Sequence, residues 1–154
     1  MPGRTAGSGG GARQDPVSNP ERFSNMQFQW LSPWAPHILS VLRILAALTF
    51  LTHGTMKLLG WPAPFPFPLN TLTTTAGVLE IVGGALLAIG LFSRPVAFVL
   101  SGLMAFAYFL GHAGRGFFPV LNGGEAALLF CFVFLFIAAY GPGPLSVDAA
   151  RGQK

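Results

Sequence analysis

Four long apolar segments dominate the chain, and they restrict the folds that are available to it. They cover residues 37–59, 73–92, 96–112 and 123–140, with Gly- and Pro-rich stretches between them. Each is close to the roughly 20 residues with which a helix crosses a hydrocarbon core of about 30 Å. Lipid offers the backbone no hydrogen-bond partners, so unbroken apolar segments of this length favour helices. The predicted fold class is all-α: a transmembrane antiparallel four-helix bundle with a disordered N-terminal tail.

The composition also indicates a protein of the bilayer. Only 9% of the 154 residues are charged and 52% are hydrophobic, whereas a soluble domain carries about 25% charged residues. The net charge of +4 is spread thinly, without the clustered Lys and Arg side chains of a nucleic-acid interface. Cys131 is the only cysteine, which excludes an internal disulfide and a C-x-x-C redox pair. We therefore expect a lipid bilayer, and no nucleic acid, as the partner.

The chain is predicted to have three parts. Residues 1–35 form a flexible cytoplasmic tail and an interfacial segment, residues 36–141 the four-helix transmembrane domain, and residues 142–154 a short cytoplasmic tail. Orientation follows from the basic residues, which accumulate in cytoplasmic loops and tails. Only Lys57 and Arg115 lie on the opposite side, so both termini are predicted to be cytoplasmic. The basic residues on the cytoplasmic side are Arg4, Arg13, Arg22, Arg94, Arg151 and Lys154.

Polar side chains interrupt the apolar segments at a restricted depth. In the predicted topology nearly all of them lie in the outer half of the membrane, and only Arg43 lies toward the cytoplasm. We assign no catalytic role to any of them. The candidates for a polar, ligand-binding pocket are Arg43, His53, Lys57, Glu80, Tyr108, His112, Asn122 and Glu125.

Helical spacing predicts that part of this set converges. At 3.6 residues per turn, His53 and Lys57 share one face of the first helix. Glu80 lies on a stripe of small residues in the second helix, and such stripes let neighbouring helices approach closely. An unpaired charge at a helix centre costs about 2.5–3.5 kcal/mol on insertion scales. We therefore predict that Lys57 and His53 face Glu80 and Glu125 across an outward-opening pocket.

Each of these residues also has a simpler interpretation. Lys57 and Arg43 can extend their charged ends to the nearest interface, and Glu125 can complement a helix dipole from the first turn. Glu80 inside the bundle fits a structural role as well as a chemical one. Imidazole and carboxylate groups can ligate metals, but the two histidines within the spans lack a common ligand spacing. A proton relay or a contact to a quinone is favoured for them, and no metal site is predicted.

The polar positions and turns resemble those of the DoxX family of small bacterial membrane proteins. The resemblance covers residues 41–140 and rests on "LRILAALTFLTHGTMKLLG", "GVLEIVGGALLAIGLFSRPVA" and "AYFLGHAGRGFFPVLNGGEAALLFCFVF". It implies a four-helix protein of the bacterial plasma membrane that is linked to redox chemistry. Relatives are described as subunits of quinol oxidases or thiosulfate:quinone oxidoreductases, or as membrane partners of redox-stress enzymes. Arg43, Lys57, Glu80 and Glu125 match the polar positions of the family, whereas the lone Cys131 excludes the thiol chemistry of the methylamine-utilisation branch.

Three functions remain open at this point. The first is a redox-associated membrane subunit that holds a quinone or a sulfur compound, while a soluble partner protein supplies the redox cofactor. The chain has no flavin, haem or iron–sulfur motif, so it would be at most a subunit of a quinone-linked oxidoreductase without a cofactor of its own. The second is a non-enzymatic scaffold or anchor for a redox-stress complex. The third is a small proton-coupled transporter, for which a homo-oligomer would supply further helices.

Overall fold

The computed structural model describes residues 29–153, and it is helical without strands over that range. The all-α prediction is confirmed for this part of the chain, whereas the predicted N-terminal tail at residues 1–28 lies outside it. Short 3-10 turns at Ser32–Trp34 and Ala113–Arg115 accompany the helices. The helices are α1 Ala35–Leu59, α2 Thr71–Ile89, α3 Ser93–Gly111, α4 Pro119–Asn122, α5 Glu125–Tyr140 and α6 Val147–Ala150.

Three helical segments are long and apolar enough to cross a bilayer. Ser32–Leu59 has a mean hydropathy of 1.6, and Thr71–Ile89 and Ser93–Arg115 each have a mean hydropathy of 1.7. Leu, Val and Phe side chains on these helices are exposed, as lipid-facing side chains are. The protein is thus a membrane protein, as its composition predicts.

The fourth predicted span is shorter than the sequence suggests. Helix α5 has 16 residues, which is about 24 Å at 1.5 Å per residue. The start of the predicted segment is not part of α5, because α4 ends at Asn122 and Gly123 then takes a left-handed conformation with φ of 72°. Helix α5 is apolar after Glu125, but it begins two residues later than predicted.

The core forms where α1 and α5 bring aromatic rings together. Phe50 and Phe134 are buried, with ring centroids 4.9 Å apart in an edge-to-face arrangement. Phe130 completes the cluster, 5.4 Å from Phe50 and 5.5 Å from Phe134. Such pairs contribute beyond the area they bury. Helix α1 packs mainly on α2, and α3 packs mainly on α5.

Helices α1 and α2 approach most closely at Gly54. A Cβ atom at this position would lie 2.8 Å from the carbonyl oxygen of Gly77 and 2.9 Å from the Cβ of Glu80. Only glycine therefore fits between the two backbones here. This close contact brings the last turn of α1, which carries Lys57, against Glu80 of α2.

At the opposite end of the helices, residues 142–150 fold back onto the helix ends; we call this segment the clasp. Leu145 binds α1 twice: its N–H donates to Ser40 Oγ at 3.2 Å, and its carbonyl accepts from Arg43 Nη2 at 2.6 Å. Arg94 donates to the carbonyls of Ala138 at 3.2 Å, Ala139 at 2.7 Å and Tyr140 at 3.2 Å, which caps the end of α5. Residues that the sequence analysis assigned to a short tail thus help to close this end of the protein.

Asp148 joins the clasp to the turn between α2 and α3. Its two carboxylate oxygens accept from the backbone N–H groups of Phe92 at 2.9 Å and Ser93 at 2.7 Å. Its own N–H donates to the carbonyl of Gly90 at 2.9 Å. Phe92 has φ of 52°, a left-handed conformation that costs a non-glycine residue about 1–2 kcal/mol. The carboxylate holds this strained turn in place.

The carboxyl group of Asp148 should make stability depend on pH. Burial alone would raise its pKa, but hydrogen bonds from Ser93 and Phe92 outweigh burial and hold the pKa below its usual value. The stabilisation is therefore complete above the unfolded pKa of about 3.9 and is lost as pH falls through the lower folded value. The thermal midpoints of the protein and its Asp148→Asn variant should differ at neutral pH and converge in acid. The control is Glu125→Gln, a change at an exposed carboxylate. If the difference in thermal midpoint between the wild type and Asp148→Asn stayed constant with pH, it would contradict this linkage.

Gly90 is needed both for its conformation and for its lack of a side chain. It has φ of 73°, and a Cβ atom there would lie 2.0 Å from Arg43 Nη1 and 2.4 Å from the Cβ of Ser146. Gly60 has a similar φ of 67° with nothing within 4 Å of such a Cβ. Gly60→Ala should cost about 1 kcal/mol for the left-handed backbone alone, and Gly90→Ala should cost at least twice that. Thermal unfolding of the two variants compares them, and equal losses would contradict close packing at Gly90.

Candidate functional site

A cavity of about 680 Å³ opens between α1, α2, α3 and α5, at the end of the helices that carries Lys57. Its walls are mainly aromatic and aliphatic, and the loop between α1 and α2 contributes Phe65, Phe67 and Pro68. Its size falls within the range of small-molecule pockets, about 300–1,000 Å³. The apolar side chains contributed by the helices are Phe50, Leu72, Ala76, Leu103, Met104, Phe106, Ala107, Leu110, Ala126, Ala127 and Phe130.

Lys57 and Glu80 form an ion pair in the wall of this cavity. Lys57 Nζ donates to Glu80 Oε1, and it lies 5.8 Å from the ring centroid of Phe65, within reach of a cation–π contact. The Glu80 side chain is only 2% exposed, compared with 16% for Lys57. The pair explains how two charged groups are accommodated in apolar helices, because each offsets the cost of burying the other.

The second carboxylate oxygen of Glu80 does not take part in the ion pair. Glu80 Oε2 is buried and has no hydrogen-bond partner among the residues that the structure describes. Buried polar atoms in proteins are nearly always hydrogen-bonded. Glu80, a wall residue of the cavity, thus carries an acceptor without a donor, next to the ammonium of Lys57 with its three N–H groups.

The two histidines of the predicted set also line the cavity, in different ways. His53 lies one turn before Lys57, with its ring centroid 6.0 Å from that of Phe130 and the two planes at 83°. His112 follows α3, and its Nδ1 lies 3.1 Å from the carbonyl oxygen of Asn122. His53 thus contacts an apolar wall, whereas His112 is tied to the loop before α5.

Asn122 organises that loop and does not line the cavity. Its Nδ2 donates to the carbonyl of Gly116 at 2.9 Å and lies 3.5 Å from the Tyr108 hydroxyl, and its Oδ1 accepts from Gly124 N–H at 2.8 Å. Asn122 is only 2% exposed. Asn122 and Tyr108 therefore fix the backbone that leads into α5, and neither faces the cavity.

Arg43 and Glu125 lie away from the cavity as well. Arg43 is fully buried near the clasp, where its Nη2 donates to Leu145. Glu125 is exposed in the first turn of α5, and it forms no ion pair with any described residue. The left-handed turn at Gly123 makes Glu125 the first residue of α5, where its side chain is exposed. Of the eight predicted residues, His53, Lys57, Glu80 and His112 line the cavity.

The residues that hold the clasp end of the helices were not identified from the sequence. Asp148, Ser40 and Ser93 hold the closed end of the helices, and no apolar pattern marks them. Ser146 is the N-cap of α6, and a Ser at such a position is a usable signal of a helix start. Between residues 29 and 153, no group of three or more His, Cys, Asp or Glu side chains is placed to hold a metal ion.

Comparison with known proteins places the chain among bacterial relatives. The DoxX family model matches residues 38–113. An uncharacterized protein of Haemophilus influenzae is 44% identical over an alignment of 125 residues, which covers 77% of this chain and 93% of that protein. A second uncharacterized protein of the same organism is 31% identical over an alignment of 121 residues, which covers 71% of this chain and 80% of that protein. No solved structure matches.

Proposed function

Because the chain belongs to the DoxX family, we propose that it is a redox-associated subunit of the bacterial plasma membrane. In this proposal the cavity at the Lys57 end binds a quinone or a sulfur compound, and a soluble partner protein supplies the redox cofactor. The observation that supports it most is a donor and an acceptor side by side, at Lys57 and Glu80, in an otherwise apolar cavity. Such a site suits a lipophilic molecule with a polar head.

The proposed arrangement in the membrane is an antiparallel four-helix bundle of α1, α2, α3 and α5. The short connection between α2 and α3, residues 90–92, supports it, because short links favour antiparallel neighbours. Both termini are proposed to be cytoplasmic, with the cavity in the outer half of the membrane. Arg94 and Arg151, near the clasp, support this orientation, since basic residues favour the cytoplasmic side.

Ligand capture from native membrane tests the proposal. The protein is extracted into lipid nanodiscs without detergent exchange, and bound lipophilic molecules and proteins are identified by mass spectrometry. We expect a quinone or a lipophilic sulfur compound to be enriched over bulk membrane. Ala107→Phe fills the cavity that Ala107 lines, and it should abolish the enrichment. Val99→Phe on the same helix, where Val99 is 54% exposed and outside the cavity, should leave it unchanged.

Two results would contradict the proposal. One is the absence of any enriched molecule or redox partner from the wild-type sample. The other is an enrichment that Ala107→Phe and Val99→Phe change equally, because a molecule in the cavity must respond to the first variant alone.

A scaffold without a ligand is the second candidate, and the ion pair itself favours it. Lys57 and Glu80 satisfy much of each other's charge, as expected if they only hold α1 to α2. A scaffold should still assemble and support its partner after Lys57→Met and Glu80→Leu are combined. Loss of partner function in a correctly assembled double variant would favour the ligand-binding proposal.

A further inference from the structure

The unpaired oxygen of Glu80 restricts the head group that the cavity can hold. Glu80 is 2% exposed and lines the cavity, and its Oε2 has no hydrogen-bond partner among the described residues. A buried carboxylate oxygen without a donor is destabilising, so a donor on a bound molecule would be favoured there. A molecule that brings only acceptors would leave this oxygen unsatisfied.

Charge restricts the head group further. The ammonium of Lys57 already neutralises the carboxylate of Glu80. An anionic head group would therefore place a second negative charge beside Glu80, and like charges at close range disfavour each other. Arg115 and His112 also line the cavity, so attraction of an anion to them is the competing outcome that a test must include.

We propose that the cavity selects uncharged amphiphiles whose head group carries an alcohol or phenol O–H. The hydroxyl group of the head donates to Glu80 Oε2, and the oxygen of that hydroxyl group accepts from the ammonium of Lys57. The apolar body lies along Phe50, Phe106 and Phe130, and the volume of about 680 Å³ admits a molecule of that size. This inference rests on the proposed function for the location of the ligand, and it adds the chemical class of the head group: among quinone-type ligands it favours the hydroquinone form, because the oxidised form carries acceptors only.

A series of matched probes tests the inference. 4-Nonylphenol, 4-nonylanisole and 4-nonylbenzoate share the same alkyl chain and ring, and they present a donor, an acceptor alone and an anion respectively. Their binding is measured by isothermal titration to the full chain in dioleoylphosphatidylcholine nanodiscs, with empty nanodiscs as the blank. We expect the phenol to bind about tenfold or more tightly than the anisole, as for a hydrogen bond to a charged group. The benzoate should bind no more tightly than the anisole.

Two variants test whether the probes bind in the cavity and whether Glu80 causes the preference for the phenol. Ala107→Phe should weaken all three probes together, because it fills the cavity without changing its polar groups. Glu80→Gln keeps the side-chain size, and its amide oxygen can accept from Lys57 while its NH₂ group faces the cavity. The preference for the phenol over the anisole should then fall to about twofold or less. The wild-type series decides the question by itself if Glu80→Gln does not fold.

The outcomes separate this inference from the proposed function. Equal binding of phenol and anisole, both lost in Ala107→Phe, would overturn the head-group inference and leave the ligand cavity standing. Tightest binding of the benzoate would overturn it in favour of anion recognition through Arg115 and His112. If no probe binds above the blank, both the inference and the ligand-binding part of the proposed function are contradicted.

Discussion

Replacing Lys57 by methionine is expected to destabilise the protein by about 3 kcal/mol or more, because it leaves the buried carboxylate of Glu80 without its counter-charge. Glu80 is 2% exposed, so water cannot compensate from outside. Replacing Glu80 by leucine should cost less, because Lys57 is at 16% exposure near the end of α1 and can extend toward the interface. The inequality between the two single variants is itself part of the prediction.

The double variant Lys57→Met with Glu80→Leu completes a thermodynamic cycle. We expect it to be within about 1 kcal/mol of the wild-type protein, since apolar replacement of a buried pair is often neutral. Reversible unfolding in detergent, or the thermal midpoint in nanodiscs, measures all four proteins. Additive single effects would show that the two side chains do not interact in the membrane.

Replacing Asp148 by alanine is expected to cost about 2–4 kcal/mol, because one buried and one partly buried N–H group lose their acceptor together. Both groups, at Phe92 and Ser93, belong to the turn between α2 and α3. The left-handed conformation of Phe92 would also lose its support. Asp148→Asn keeps one acceptor and should give an intermediate loss.

Gln153→Ala is the matched control for the clasp, because Gln153 follows α6, is exposed and carries no charge. It should change the thermal midpoint much less than Asp148→Ala does. Limited proteolysis gives a second measurement, in which cleavage within residues 142–150 should rise in Asp148→Ala. A wild-type midpoint and unchanged cleavage for that variant would mean that the clasp does not stabilise the helix ends.

The helices were predictable because a helix that crosses lipid needs a long run of apolar residues, which is visible in the sequence. Hydropathy alone predicted the first apolar segment at 37–59, and α1 runs from Ala35 to Leu59. The pairing of Lys57 with Glu80 followed from helical spacing, because a charge in an apolar helix must find a partner close by. Both arguments use patterns within one helix, and such patterns can be read from a single sequence.

The parts that escaped prediction depend on contacts between distant residues or on turn geometry. Glu125 is predicted at the depth of Glu80, but it is the exposed first residue of α5 after a left-handed turn at Gly123, whose conformation hydropathy does not record. The wall formed by Phe65 and Phe67 depends on the path of a Pro-rich loop. Asp148 lies in a polar stretch whose composition does not separate a clasp from a free tail.

The hydrogen bond between Arg43 and Leu145 restricts the order in which contacts form during synthesis. The guanidinium group of Arg43 donates to a carbonyl that lies 102 residues further along the chain. At a synthesis rate of about 5–20 residues per second, Arg43 is made roughly 5–20 s before that carbonyl. During this interval the described residues offer the nascent Arg43 only the longer contact to the carbonyl of Ala88, at 3.5 Å, so the first helix gains its closer hydrogen bond only after translation has passed Leu145.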